Sequence, residues 1–326
     1  MITGALILLT AGLVVLAVGA EGIVRSASKL ASSLGISPMM LGLTVVAIGT
    51  SMPELAVGIT AAQQDSPGLS IGNIAGTNLV NLLFILGLSA LLDPLSLHLR
   101  VIRLDLPGMV IAALMMTLMA WDGRLSQLDG ALLFGSAVLY TIVLVNVSRR
   151  ESRAVREEFR TMYSEAAAAA RAPLGARAKQ LLILIVSIAL TLLGADWLVD
   201  GAVSIARSVG IGDAVIGLTI VAIGTSAPEL ATTVISTIKR ERDVAVGNLL
   251  GSSIYNILVI LGITCLAVPG GLAVDRSLLL FDIPLVFAVA LLCIPVFVTG
   301  RRISRIEGGL FLTVYLGYLV FVLARA

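Results

Sequence analysis

The chain has 326 residues, of which 58% are hydrophobic and only 13% charged, with 32 glycines, a net charge of +2 and a mean hydropathy of +1.05. A water-soluble domain carries about 25% charged residues, so this composition excludes a soluble globular protein and points to a polytopic membrane protein. Its near-zero net charge gives no cue to nucleic acid or any other polyanionic partner.

Apolar runs of about 20 residues, long enough to cross a bilayer, recur ten times. They lie near 3–24, 38–62, 70–92, 104–121, 127–147, 180–199, 213–237, 244–267, 278–299 and 304–323. The first has an apolar core but no basic leader, which favours a span over a cleaved signal peptide. With the N-terminus outside, Arg25, Lys29, Arg100, Arg103, eight residues from Arg149 to Lys179, Lys239, Arg240, Arg242, Arg301, Arg302 and Arg305 all fall inside, 18 of the 22 Lys and Arg. The positive-inside rule therefore predicts an even number of spans with both termini outside. The stretch 148–179, rich in Arg, Glu and Ala before Pro173, is too short to fold alone and reads as a partly helical cytoplasmic linker. Cys265 and Cys293 lie inside spans without CxxC or His neighbours and suggest neither a disulfide framework nor a metal site.

AIGTSMPEL at 47–55 returns as AIGTSAPEL at 222–230, a shift of 175 residues. Without a gap, 42–87 and 217–262 are identical at 21 of 46 positions, and Gly19, Ala20 and Gly35 match Gly194, Ala195 and Gly210. The predicted fold class is all-α: ten transmembrane helices in two repeats of five, 1–147 and 180–326. Because five is odd, the second repeat enters the membrane with opposite polarity. Inverted-topology repeats are a hallmark of secondary transporters, with substrate sites near the midplane between the halves.

Glu54 and Glu229 are the chemistry-bearing residues. Thr50 and Thr225 stand four residues before them, so a hydroxyl and a carboxylate are expected to share one helix face in each half, with Ser51 and Ser226 alongside. Pro53 and Pro228 deprive the preceding turn of a hydrogen bond and strain it, and at membrane depth such backbone is tolerated only where it faces protein or a wet cavity. In the next spans Asn73, Thr77 and Asn81 fall at i, i+4 and i+8, as do Asn248, Ser252 and Asn256. These hard oxygen donors suit Ca2+ or Na+, and the imidazoles and thiolates that favour zinc or copper are missing. No Lys or Arg lies in the four motif-bearing spans, so each carboxylate must be protonated or meet a mobile cation.

Plainer structural roles exist for several of these residues. Ser51, Ser226, Thr77 and Ser252 can back-bond to helix carbonyls. Gly72 with Gly76, and Gly247 with Gly251, read best as small-xxx-small packing pairs. Asn73 and Asn248 serve equally well as caps of the following helices or as ligands. Glu21 and Asp196 match across the repeat but sit near span ends, where solvated interfacial side chains are expected. The lone His98 falls in a predicted cytoplasmic loop.

GTSMPEL and GTSAPEL, followed by GNIAGTNLVN and GNLLGSSIYN, resemble the two alpha-repeats of the cation/calcium exchanger superfamily, in its prokaryotic sodium/calcium exchanger-like branch. The resemblance implies a central Ca2+ site at Glu54 and Glu229 with carbonyls of Thr50 and Thr225. It implies flanking Na+ sites at the Ala47 carbonyl, Ser51 and Ser252 on one side, and at the Ala222 carbonyl, Ser226 and Thr77 on the other. Asn81 and Asn256 take a middle position. Some relatives have an aspartate where Asn256 stands; Thr77 replaces a frequent serine and Ser253 an expected asparagine. The short central loop departs from the large Ca2+-sensing insert of animal relatives.

One Ca2+ neutralises two carboxylates, and so do two or more Na+ on adjacent oxygens. Both ions therefore compete for one cage, which is the physical basis of Na+/Ca2+ antiport by alternating access. Three Na+ per Ca2+, as the resemblance implies, would move one net charge per cycle, worth about 2.3 kcal/mol at 100 mV. Spans 1 and 6 lack motif residues and are the expected moving elements. A Ca2+/H+ antiporter and, in other classes, a cation channel or an intramembrane enzyme are the alternatives. An enzyme would need an aspartate pair, a His cluster or a Ser-His set, which no motif-bearing span holds. The expected substrates are Ca2+ and Na+, with the lipid bilayer as surroundings and with no cofactor, nucleic acid or obligate protein partner.

Overall fold

The computed structural model describes residues 2–34, 36–63, 66–150, 174–209 and 222–325. Among these, nine stretches are helical, long and apolar enough to cross a membrane. The tenth expected span, 213–237, is described from residue 222 onward as α10 (Ala222–Thr225) and α11 (Ala227–Ile238), its first part lying outside the described residues. So does most of the expected linker; 148–150 and 174–179 at its edges are helical.

The first half holds α1 (Ile2–Leu34), α2 (Pro38–Leu41), a π turn (Gly42–Val46), α3 (Ala47–Thr50), α4 (Met52–Gln63) and α5 (Pro67–Leu79). A second π turn (Val80–Ile85), α6 (Leu86–Leu92), a third (Val101–Asp105), α7 (Leu106–Met119) and α8 (Gln127–Arg150) complete it. The second half holds α9 (Leu174–Ser208), α10, α11, α12 (Arg242–Tyr255), a π turn (Asn256–Leu261), α13 (Gly262–Ala267), a π turn (Leu278–Asp282), α14 (Ile283–Val298) and α15 (Arg305–Arg325). α1 and α9 have 33 and 35 residues, well beyond the 3–24 and 180–199 read from hydropathy. The difference is physical: an apolar run measures the hydrocarbon it crosses, whereas the helix continues through polar Ser, Lys and Arg into the interface.

α1 and α9 lie side by side and antiparallel. Gly12 faces Gly194 and Leu198, Gly19 faces Ser187 and Thr191, and Gly201 faces Ala5 and Leu9, so one numbering rises as the other falls. A Cβ at Gly12 would stand 2.5 Å from the Leu198 backbone nitrogen; only glycine lets the two backbones come this close, the usual basis of helix association in lipid. Antiparallel packing of repeat-equivalent helices is what an inverted repeat requires.

Four two-residue strands at the helix ends interlock the halves. Leu95–Ser96 pairs antiparallel with Arg302–Ile303, and Arg124–Leu125 with Leu272–Ala273. These are one ladder with the halves exchanged: Leu95 opposes Ile303 as Leu272 opposes Leu125. Nothing in the hydropathy pattern signals such short pairings.

A second pair of contacts obeys the same exchange. Asp105 and Asp282 each close a π turn two residues before a proline, and each accepts a hydrogen bond from a tyrosine, Tyr140 Oη at 2.9 Å and Tyr318 Oη at 3.0 Å. Asp105 is fully buried. Tyr140→Phe and Tyr318→Phe should each lower stability by about 1 kcal/mol, the scale of interhelical hydrogen bonds in membranes, with the larger loss at buried Asp105. Thermal unfolding of the purified variants in detergent checks this, and unchanged midpoints for both would refute the role.

Candidate ion-binding site

The two copies of the motif adopt one conformation. α3 stops at Thr50, Ser51 takes φ −86°, ψ 12°, and α4 restarts at Met52; Ser226, between α10 and α11, takes φ −86°, ψ 6°. Proline is the cause. Pro53 and Pro228 cannot donate to the preceding turn but are tolerated in a helix's first turn, so the helix breaks and begins again with proline second and glutamate third. Thr50 and Glu54 therefore lie on either side of a break and do not share the continuous helix face expected from their spacing. Each glutamate instead stands in the first turn of a half-helix, where the dipole and free N–H groups favour negative charge.

Each half-helix lies against the next helix of its own half and against a π turn of the other: α4 on α5 and on Asn256–Leu261, α11 on α12 and on Val80–Ile85. Those π turns carry Asn81 and Asn256, an irregularity frequent at functional sites. Close approach of α12 sets the register. A Cβ at Gly247 would meet the Met39 carbonyl at 2.7 Å, and one at Gly251 the Leu43 carbonyl at 2.6 Å and Ala47 Cβ at 2.7 Å, as expected of a small-xxx-small pair. Gly72 and Gly76 show no such crowding among the described residues; Gly72 meets the Leu278 side chain at 3.6 Å and Gly76 nothing within 4 Å.

Ala47, Thr50, Ser51, Glu54, Thr77, Asn81, Ser226, Glu229, Ser252 and Asn256 are all buried. Thr225 is partly exposed at the end of α10, which Ala222 opens. Ser51 does not back-bond: its Oγ lies 3.0 Å from Glu229 Oε1 and 3.3 Å from Ser252 Oγ, which is itself 3.4 Å from the same carboxylate oxygen. Hydroxyls from both halves thus converge on Glu229. Thr50 Oγ1 donates to Asn248 Oδ1 at 3.3 Å, and Asn248 Nδ2 donates to Thr233 Oγ1 at 3.3 Å. Asn248 sits mid-helix in α12 and Asn73 mid-helix in α5, so neither caps a helix. Glu21, partly exposed and well inside α1, pairs with Arg25 and, at 2.7 Å, with Lys239; Asp196 is exposed. His98 contacts Asp243 at 3.0 Å in the loop region where it was expected.

Many oxygens around the glutamates have no protein partner among the described residues. Both carboxylate oxygens of Glu54, Oε2 of Glu229, Oγ of Ser226 and the whole side-chain amides of Asn81 and Asn256 are buried and unpartnered. No Lys or Arg is buried among the described residues to offset the carboxylates. Leaving so many polar groups unpaired in a low-dielectric interior costs several kcal/mol, unless a cation gathers them. The residues overlooked in the sequence are Thr232 and Thr233, fully buried beside Glu229. Their first-half counterparts Val57 and Gly58 have no hydroxyl, so the repeat comparison passes over them; the TTxxST pattern at helical spacing was the available signal.

The family model described as sodium/calcium exchanger protein matches the chain twice, over residues 4–146 and 179–324, once for each half. The sodium/calcium exchanger MaX1 of Methanosarcina acetivorans is 34% identical over 347 residues, covering 98% of this chain and 99% of the relative. The inner membrane protein YrbG of Escherichia coli is 36% identical over 264 residues, covering 81% and 80%. In three dimensions the solved sodium/calcium exchanger from Methanococcus jannaschii aligns with a TM-score of 0.83 at 27% identity, over 98% of this chain and 99% of that one. Gly251→Ala should force α12 off the Leu43 carbonyl and cost about 1–3 kcal/mol as overpacking; an unchanged thermal unfolding midpoint in the purified variant would overturn this account of the register.

Proposed function

Because this chain belongs to the sodium/calcium exchanger protein family, we propose that it exchanges Na+ for Ca2+ across the membrane as a secondary antiporter working by alternating access. The observation that carries this reading is the pair of buried glutamates, one from each half, surrounded by oxygen donors and by no buried basic side chain among the described residues. Ca2+ takes six to eight oxygens, carboxylates foremost. Glu54 and Glu229 supply the carboxylates, and the carbonyls of Thr50 and Thr225 complete the central position. Ser51, Ser252 and the Ala47 carbonyl hold Na+ on one side, Ser226, Thr77 and the Ala222 carbonyl on the other, with Asn81 and Asn256 between. The Glu229–Ser51–Ser252 triangle supports this, since its three oxygens already face one another.

Na+ and Ca2+ exclude each other because the same two negative charges must neutralise either load. The cargo-free cage is the least favourable state to carry across, which couples the two fluxes. α1 and α9 are the elements that move. Contacts of Gly49 with Ile188 and of Gly224 with Val199 support this, for they place α9 directly over both motif turns. Sliding the α1–α9 pair would uncover the cage on one face and cover it on the other, and the Glu21–Lys239 ion pair between α1 and the end of α11 would open on one of those strokes.

We further propose residues 1–147 and 180–326 as the two inverted repeats, joined by a cytoplasmic linker at 148–179. Both termini face outward from a prokaryotic inner membrane. Ca2+ and Na+ are cargo; the protein is a transporter and not an enzyme, needing no cofactor and no obligate protein partner. Proteoliposomes loaded with Na+ should take up 45Ca2+ at least tenfold faster than choline-loaded ones, and Glu54→Gln and Glu229→Gln should each reduce that uptake to background. Uptake driven by a proton gradient without Na+ would instead make the protein a Ca2+/H+ antiporter.

A further inference from the structure

The two half-helices that carry the glutamates are alike at the motif and unlike beyond it. After Glu229, α11 places Thr232, Thr233, Ser236 and Thr237 at i+3, i+4, i+7 and i+8, one face of the helix, and all four are buried. At the equivalent places after Glu54, α4 has Val57, Gly58, Ala61 and Ala62. A stripe of hydroxyls is often only helix packing, but two observations set this one apart. Thr232 Oγ1 is buried with no partner among the described residues. Thr233 is joined to the cage itself, through Asn248 to Thr50.

Ser236 Oγ donates to the Thr232 carbonyl at 2.7 Å and Thr237 Oγ1 to the Thr233 carbonyl at 2.8 Å. Their protons are thereby occupied and their lone pairs turned outward, which is the polarity a cation requires. Eight residues at 1.5 Å each carry this face about 12 Å from Glu229 to the helix end at Ile238, beside Lys239. Neutral hydroxyls offset the dehydration of a monovalent ion far better than that of a divalent one, whose solvation energy grows with the square of its charge; Ca2+ calls for carboxylates.

We infer that the Thr232–Thr237 face of α11 is a Na+ relay, passing Na+ between the cage and the Lys239 face. The inference rests on the exchanger reading of the cage.

Na+-driven 45Ca2+ flux in right-side-out and everted membrane vesicles tests it, with Na+ titrated from each face in turn. Thr232→Val with Ser236→Ala should raise the half-saturating Na+ concentration at the Lys239 face fivefold or more and leave the opposite face within twofold. Thr232→Ser, which keeps the hydroxyl, should behave as wild type. Equal shifts at both faces, or none at either, would overturn the relay while leaving exchange intact. If wild-type vesicles show no Na+-driven Ca2+ flux, it is the exchanger reading that fails. Should the double variant not accumulate in the membrane, Thr232→Val alone carries the same comparison.

Discussion

Two carboxylates buried in an apolar interior, with no buried Lys or Arg among the described residues to meet them, are what the rest of this molecule is arranged around. A carboxylate in hydrocarbon is expensive on any scale, and two that face one cage repel each other. The fold lowers that cost without cancelling it. Half-helix N-termini, hydroxyls and side-chain amides stabilise negative charge as dipoles, and none of them is a cation. In the proposed exchange, the cage is thus short of positive charge and accepts it from mobile ions. A lysine at Thr50 or Ser226 would satisfy the carboxylates permanently and remove the reason to bind cargo.

The helix breaks convert this electrostatic demand into geometry. An intact helix spends its carbonyls and N–H groups on itself; stopping at Thr50 and restarting at Met52 frees polar groups at membrane depth, where only a protein-lined cavity permits them. The π turns at Val80–Ile85 and Asn256–Leu261 loosen the facing helices in the same way, and they carry the two asparagines. Glycine then sets the distances. Gly247 and Gly251 bring α12 against the segment that ends in Ala47 and Thr50, so Ser252 reaches Ser51 and Glu229 across the interface between halves.

Much of this was legible in the sequence because the gene carries the answer twice. The duplicated GTSxPEL located both glutamates and the odd number of spans per half implied the inversion. What stayed hidden lay where the two copies diverge or where the signal is shorter than a span. For Asn248 the sequence left cap and ligand equally open, because its contacts are with Thr50 and Thr233, 198 and 15 residues away. Asp105 and Asp282 share only an Asp-x-Pro with their surroundings and sit at span edges, where a carboxylate passes for interfacial. The ends of α1 and α9 escaped because helices do not stop where hydrophobicity does. Identity between repeats is a strong guide to the shared cage and a blind one to whatever distinguishes its two sides.

That distinction matters because a perfectly symmetric inverted repeat would face both compartments alike, while the solutions it meets differ. The cage obeys the symmetry in composition: glutamate, serine, asparagine and proline appear on both sides. Its surroundings do not. Glu229 gathers Ser51 and Ser252 within hydrogen-bonding reach while Glu54 has no partner among the described residues, and hydroxyls continue past Glu229 where alanine, glycine and valine follow Glu54. Symmetry supplies two conformations of nearly equal energy, which alternating access needs. In the proposed exchanger, departures from it in neutral oxygen donors would let each conformation hold the same ions with different strength, without adding a charge that would trap them.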